Sequence, residues 1–266
     1  MEFFLGAHQP QWLSDQRFKD VPLFVSARRL RARRSPWPAA VTTWALDSGG
    51  FSELNKYNAW QTSPEDYVRE VRQWIQIGKM KWAAIQDWMC EGFMLEKTGL
   101  SLDEHQRRTV RSWLVLTAAA PEIPWVPVLQ GYGLEDYLRC IDLYVAEGCD
   151  LCGVVGVGSV CRRQATKEAG VIFRRLAHEL PQARLHGFGV KTSGLPRYGQ
   201  VLGSADSMAW SMDAYRSAPL PECVRAAKEG KIRPHKNCAN CATYALKWRE
   251  RLLAPKAQLD LWSARA

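Results

Sequence analysis

The chain has 266 residues, 47% hydrophobic and 24% charged, which excludes a disordered tail and gives a chain of α/β-barrel size enough apolar surface for a large core. Its 36 lysines and arginines outweigh 27 acidic residues for a formal charge of +9, a balance that favours a polyanionic partner. No window approaches about eighteen uninterrupted apolar residues and Met1 to Pro10 lacks a secretory pattern, so a soluble, cytoplasmic protein without a membrane partner is expected, its eight cysteines reduced or metal-bound.

Phe3 to Ala7 reads as a strand ending at His8, and Val21 to Val25 as a second that runs into Arg28, Arg29, Arg31, Arg33 and Arg34. Five arginines so close together are either a solvated loop or a phosphate-contacting surface, and the latter is the favoured reading. Val41 to Leu46 is a third strand, ending in Asp47-Ser48-Gly49-Gly50-Phe51. Ser63-Pro64-Glu65 starts a helix that Gly78 stops. Lys81 to Gln86 is the fourth strand, closing on Asp87. Ser101-x-x-Glu104 forms a capping box for a helix ending near Pro121. Trp125 to Leu129 is the fifth strand, before Gln130-Gly131, and Leu134 to Ala146 the next helix. Leu151 to Val157 is the sixth strand, followed by Gly158-Ser159 and a helix from Thr166 to Leu180. Arg184 to Phe188 begins the seventh, a short helix follows near Leu195, and Ser204 to Trp210 is the eighth.

Eight strands, mostly alternating with helices, predict a (β/α)8 TIM-type barrel over residues 1–212. Such barrels carry their sites at the C-terminal ends of the strands, where Asp47, Asp87, Gln130, Ser159, Lys191 and Asp206 fall. Taken alone, Asp47 to Phe51 would be a capped turn; in this company it reads as one wall of a site. Carboxylates with an amide and exposed backbone suit a guanine-like base, whose ring N–H and amino group donate while O6 accepts. Two further carboxylates could break an N-glycosidic bond, one attacking C1′ and one carrying a proton.

These residues resemble the tRNA-guanine transglycosylases and their relatives that place 7-deazaguanine bases in DNA. Asp47 to Phe51 is similar to that family's Asp-Ser-Gly-Gly-aromatic motif, Leu129-Gln130-Gly131 to its Val-Gln-Gly, and His186 to Lys191 to its glycine-rich loop. The resemblance implies Asp206 as nucleophile, with Asp213 as the alternative, and Asp47 as general acid/base. It implies Ser48, Gly49, Phe51, Asp87, Gln130, Gly131, Gly187 and Phe188 around the base. Chain length, the arginine cluster and Gly158 to Gln164 are most similar to the short DNA-modifying branch. On that likeness the substrates are DNA, more than tRNA, and a free 7-deazaguanine such as 7-cyano-7-deazaguanine. Arg28 to Arg34, Arg162 and Arg163 would hold the backbone, with Trp37 or Phe51 offering a stacking face.

From about Asp213 the pattern changes to a proline-containing linker, a cysteine knuckle and a helix from Ala242 to Leu253, taken as a second segment, 213–266, packed on the barrel. His235-x-x-Cys238-x-x-Cys241, with Cys223 upstream, has zinc spacing, and the resemblance implies a structural zinc. The family's ligand order differs, so Cys223 is the least secure of the four. Cys149-x-x-Cys152 lies at a strand start and reads as packing. The readings that compete are tRNA base exchange, base release to water, and a non-catalytic protein that binds a modified base in nucleic acid.

Overall fold

The computed structural model describes residues 1–37, 39–160, 166–190 and 194–254. Two units make up the chain, Met1–Ser207 and Met208–Ala266.

The first unit is built on parallel strands: β1 (Glu2–Ala7), β2 (Leu23–Ser26), β3 (Trp44–Asp47), β4 (Met80–Ala84), β5 in two segments (Trp125–Val126 and Val128–Leu129), β6 (Gly153–Val157), β7 (Ala183–Gly187) and β8 (Ser204–Ser207). Each strand pairs in parallel with the next in sequence, and β8 pairs with β1. The nine segments form one row whose two ends are the successive halves of β5, so the row closes on itself as the expected barrel. Pro127 divides β5 because it has no N–H to give a neighbour, yet its carbonyl still accepts from Gly156 N at 2.9 Å.

Side chains alternate across a strand, so every second residue points into the barrel. That inner set is aromatic and small: Phe4, Phe24, Ala45, Trp82, Ala84 and Val126 pack together, with Val154 and Phe188 against them. Continuing the alternation places Ser26 beyond Phe24, Asp47 beyond Ala45 and Asp206 beyond Ser204 on the inner face. The polar strand ends therefore crown an apolar interior.

The expected helices are present as α3 (Pro64–Ile75), α5 (Leu102–Ala119), α6 (Leu134–Ala146) and α7 (Lys167–Glu179). Ser63 and Ser101 cap α3 and α5 by accepting from Asp66 N at 3.1 Å and Glu104 N at 3.2 Å. Short helices α1 (Ala27–Arg31), α2 (Gly50–Tyr57), α4 (Gly92–Thr98) and α8 (Leu195–Tyr198) fill the connections. Two boundaries differ from expectation. β8 stops at Ser207, because Ala209–Arg216 turns into a helix, α9, and residues expected as a linker form α10 (Pro221–Lys228), which Pro221 opens at its first position.

The second unit contains α9, α10 and α11 (Ala242–Leu253). Ser211 Oγ donates to Ala239 O at 2.9 Å and the Tyr244 hydroxyl to Asp213 Oδ2 at 2.8 Å. Among the described residues no helix is long and apolar enough to cross a membrane.

Candidate active site and metal cluster

The site begins where β3 turns into α2. Gly49 has φ of 84°, a left-handed conformation that costs glycine nothing, and it lets the chain reverse directly into the helix. The turn aims the Gly49 N–H back at Asp47, whose carboxylate also bonds the Ser26 side chain on the neighbouring strand. Burial pushes the Asp47 carboxyl up, these two hydrogen bonds oppose the shift, and the negative charge of Asp206 adds to it. Asp47 and Asp206 thus sense one another across the mouth of the barrel.

Asp87 stands beyond the end of β4. Its carbonyl accepts from Trp60 Nε1 at 3.3 Å, while its carboxylate accepts from Ser48 Oγ at 3.3 Å and, through a short bond, from Gln130 Nε2. Burial first and the Asp47 charge second push its carboxyl up to about 7. Its carboxyl oxygens already take two donors and, in the ionised form, have lone pairs left to accept further N–H groups, as a guanine-like edge would supply.

Gln130 is fixed from both sides. Its carbonyl accepts from Gln106 Nε2 at 2.6 Å, and its Oε1 accepts from Ser159 Oγ at 2.6 Å, which orients the amide so that its NH₂ faces Asp87. Ser159 is buried in a left-handed conformation, φ 55°, and also receives Cys90 N–H at 2.7 Å. A non-glycine residue held there stores strain of the kind found around sites. Gly158 leaves room for the Gln130 amide: a Cβ there would overlap it and displace it from its present position.

Asp206, 4% exposed, accepts Gly189 N–H on Oδ1 at 2.8 Å. Asp213, the alternative nucleophile, lies on α9 in the second unit, bonded to Tyr244. Phe188 packs on Phe24, Trp82 and His186, with ring centroids 6.0, 6.4 and 4.8 Å away, and forms the partly exposed top of the aromatic interior. Gly187 is buried below it. Phe51, 43% exposed, lies in the first turn of α2 against Phe93. Gly131 faces α6, where a Cβ would meet Tyr137 N at 2.9 Å, so helix packing by itself accounts for this glycine.

The arginines divide. Arg28, Arg29 and Arg34 are exposed and Arg33 half-buried; the Arg28 Cβ would stand 3.7 Å from a Cβ on Gly49, at the rim of the site. Arg31 is instead tied inside the unit to Glu70 at 2.7 Å and Glu53 at 3.2 Å, beside the Trp74 ring. His8 lies at the same rim with Nδ1 3.4 Å from Arg29 Nη2, and burial and that cation lower its pKa. Trp37 stands edge-on to Trp74. Arg162, Arg163 and Lys191 lie outside the described residues.

In the second unit Cys223, His235, Cys238 and Cys241 place one ligand atom each within 4.8 Å of one another, a group that could hold a metal ion. The Sγ atoms of Cys223 and Cys241 are 3.7 Å apart, and His235 Nε2 is 3.3 Å from Cys238 Sγ. A tetrahedral zinc with Zn–S near 2.3 Å and Zn–N near 2.0 Å requires separations of about 3.8 and about 3.5 Å, so the donor set fits. Cys223, the least secure ligand by sequence, is brought in by α10. Cys149 is buried and Cys152 is exposed, its Sγ 3.1 Å from Asp150.

The raised carboxyl of Asp87 has a consequence for stability. A folded-state pKa near 7 against an ordinary value of 3.8 means that folding favours the protonated acid, so this contribution is present in full below about pH 4 and is lost as pH rises through 7. Asp87→Asn cannot titrate and should gain on the wild type by about 2 to 4 kcal/mol between pH 4.5 and pH 8. Urea unfolding at both pH values measures this; a pH-independent gap between the two proteins would show that Asp87 titrates normally.

No curated protein matches the sequence. The family described as DeoxyPurine in DNA protein A (DpdA) matches residues 1–264, and to that family the chain belongs.

Proposed function

We propose that the protein is a DNA-guanine transglycosylase that exchanges guanine in DNA for a free 7-deazaguanine through a covalent ester on Asp206. The family's description names a deoxypurine in DNA, which agrees with the resemblance of the motifs to the DNA-modifying branch of the transglycosylases. The observation that carries the chemistry is the meeting of Asp47, Asp87, Gln130 and Asp206 at one end of the barrel, with Asp47 and Asp87 both raised toward the range where a carboxyl carries protons.

In the proposed sequence, Asp87 accepts from the ring N–H and amino group of the base, and the Gln130 amide donates to O6. Phe188 and Phe51 offer apolar faces to it. Asp206 attacks C1′ as the C1′–N9 bond breaks, and the departing guanine takes the bond's electron pair and a proton from Asp47. The deazaguanine then returns a proton to Asp47 and attacks the same carbon, releasing the Asp206 carboxylate. Protons and charge balance over the cycle. Because the target base must leave the stack, Arg28, Arg29, Arg33 and Arg34 serve as backbone contacts that help offset a cost of a few kcal/mol. Arg31 anchors the segment that carries them. Cys223, His235, Cys238 and Cys241 hold a structural zinc, which supplies no chemistry to the exchange.

The test is mass spectrometry of nucleosides from DNA and from tRNA after expression of the chain alongside a source of 7-deazaguanine. A deoxyribosyl deazaguanine in DNA is the expected product. Modification of tRNA alone, or abasic sites in DNA without a new base, would overturn the assignment in favour of tRNA exchange or hydrolysis.

A further inference from the structure

Directly beneath Asp206 sits a histidine that the proposed reaction has not used. His186 on β7 is fully buried, and its ring lies among Phe4, Phe24, Trp82 and Phe188, with centroids 5.9, 5.6, 4.8 and 4.8 Å away. Its register partner on β8 is Ser204, which shares a face with Asp206 two residues on. The imidazole Nδ1 is 2.9 Å from Ser204 Oγ. Nε2 lies 3.4 Å from Asp206 Oδ1 and makes no hydrogen bond in this state.

A neutral imidazole has one donor and one acceptor nitrogen, so the Ser204 contact decides what faces Asp206. If Nδ1 carried the hydrogen, the Nε2 lone pair would point at a carboxylate oxygen inside an apolar cage, where such repulsion is poorly screened. If the Ser204 hydroxyl donates to Nδ1, Nε2–H faces Oδ1 and the repulsion gives way to attraction. A shift of roughly half an ångström would bring that contact into bonding range, and such contacts often tighten only when substrate is bound.

We infer that His186, held in this tautomer by Ser204, is a positioning residue for Asp206. Together with Gly189 N–H it engages Oδ1 and leaves Oδ2 to attack C1′. The inference rests on the reading of Asp206 as nucleophile. Two donors on Oδ1 fix the plane of the carboxylate. They also stabilise the charge that returns to the carboxylate when the second base displaces it, so both ester formation and ester breakdown depend on them.

Single-turnover adduct formation on DNA, with the ester located by peptide mass spectrometry, tests this in His186→Phe, His186→Gln and Ser204→Ala. His186→Phe keeps a ring in the cage and deletes both nitrogens. It should slow adduct formation about 100-fold while DNA affinity stays within about twofold. His186→Gln, which retains a donor, should recover at least about tenfold of that loss, and Ser204→Ala should slow the step about tenfold. Should His186→Phe fail to fold, Ser204→Ala and His186→Gln decide. Wild-type rates in every variant that folds, or equal losses in the Phe and Gln variants with none in Ser204→Ala, would reduce His186 to core packing. An ester mapped to a residue other than Asp206 would instead overturn the nucleophile assignment itself.

Discussion

Asp206→Asn should abolish the denaturant-stable protein–DNA adduct and lower base exchange by roughly ten-thousandfold or more. The substitution is nearly isosteric. An asparagine oxygen can still accept the Gly189 N–H that now reaches Oδ1 at 2.8 Å, so the end of β8 keeps its main local bond and the fold should survive. What disappears is the carboxylate oxygen proposed to attack C1′, and a carboxamide is far too weak a nucleophile to replace it. Two companion variants give the result its meaning. Asp47→Asn leaves the proposed nucleophile in place and removes the proposed proton carrier, so on that reading an adduct should form slowly and persist. Asp213→Asn alters a carboxylate on α9 that accepts from Tyr244, and should leave adduct formation untouched. Adduct trapping by denaturing electrophoresis separates the three. An adduct that persists in Asp206→Asn and vanishes in Asp213→Asn would move the nucleophile to the second unit.

Much of this site could be read along the chain because strand ends are local features. A run such as Val41 to Leu46 stopping at Asp47 is visible in sequence, and a parallel barrel gathers all such stops at one end. The partners that tune those residues were not legible. Ser26 reaches Asp47 because β2 and β3 are in register at that level, and Ser159 reaches Gln130 from 29 residues away. Neither pairing leaves a spacing signal. His186 was placed in the seventh strand and in the glycine-rich loop without a role; its alternation with Phe188 was the available clue that it points into the barrel. The arginine cluster shows the opposite limit. Composition made five equivalent cations of Arg28 to Arg34, whereas the fold commits Arg31 to Glu53 and Glu70, carboxylates 22 and 39 residues further along the chain. The helices α2, α9 and α10 escaped because each is only eight residues long, short enough that tertiary packing decides it more than propensity does.

The second large effect is expected at the cysteine cluster. If Cys223, His235, Cys238 and Cys241 hold zinc, the purified chain should carry one equivalent of metal, and Cys238→Ser should lose it together with the order of residues 219–241. Cys238 is the most informative position because it is fully buried and its Sγ accepts from Leu220 N at 3.5 Å, close to where α10 begins. Cys241 caps α11, while Cys223 lies in the first turn of α10, so one ion would tie the starts of both helices to the loop between them. Little else in that loop resists unfolding: Lys231, Ile232, Arg233 and Pro234 are all exposed. Binding of a structural zinc is worth on the order of 10 kcal/mol, more than a segment of this size gains from its own apolar packing. A strong chelator, or Cys238→Ser, should therefore open residues 219–241 to limited proteolysis while the barrel fragment remains resistant, and re-addition of zinc should restore protection to the chelated protein but not to the variant. A chain that lacks stoichiometric metal as purified and yet resists cleavage there equally well would leave the cluster as three packed thiols and an imidazole, with the two helices held by contacts such as Tyr244 with Asp213 and Lys247 with Glu222.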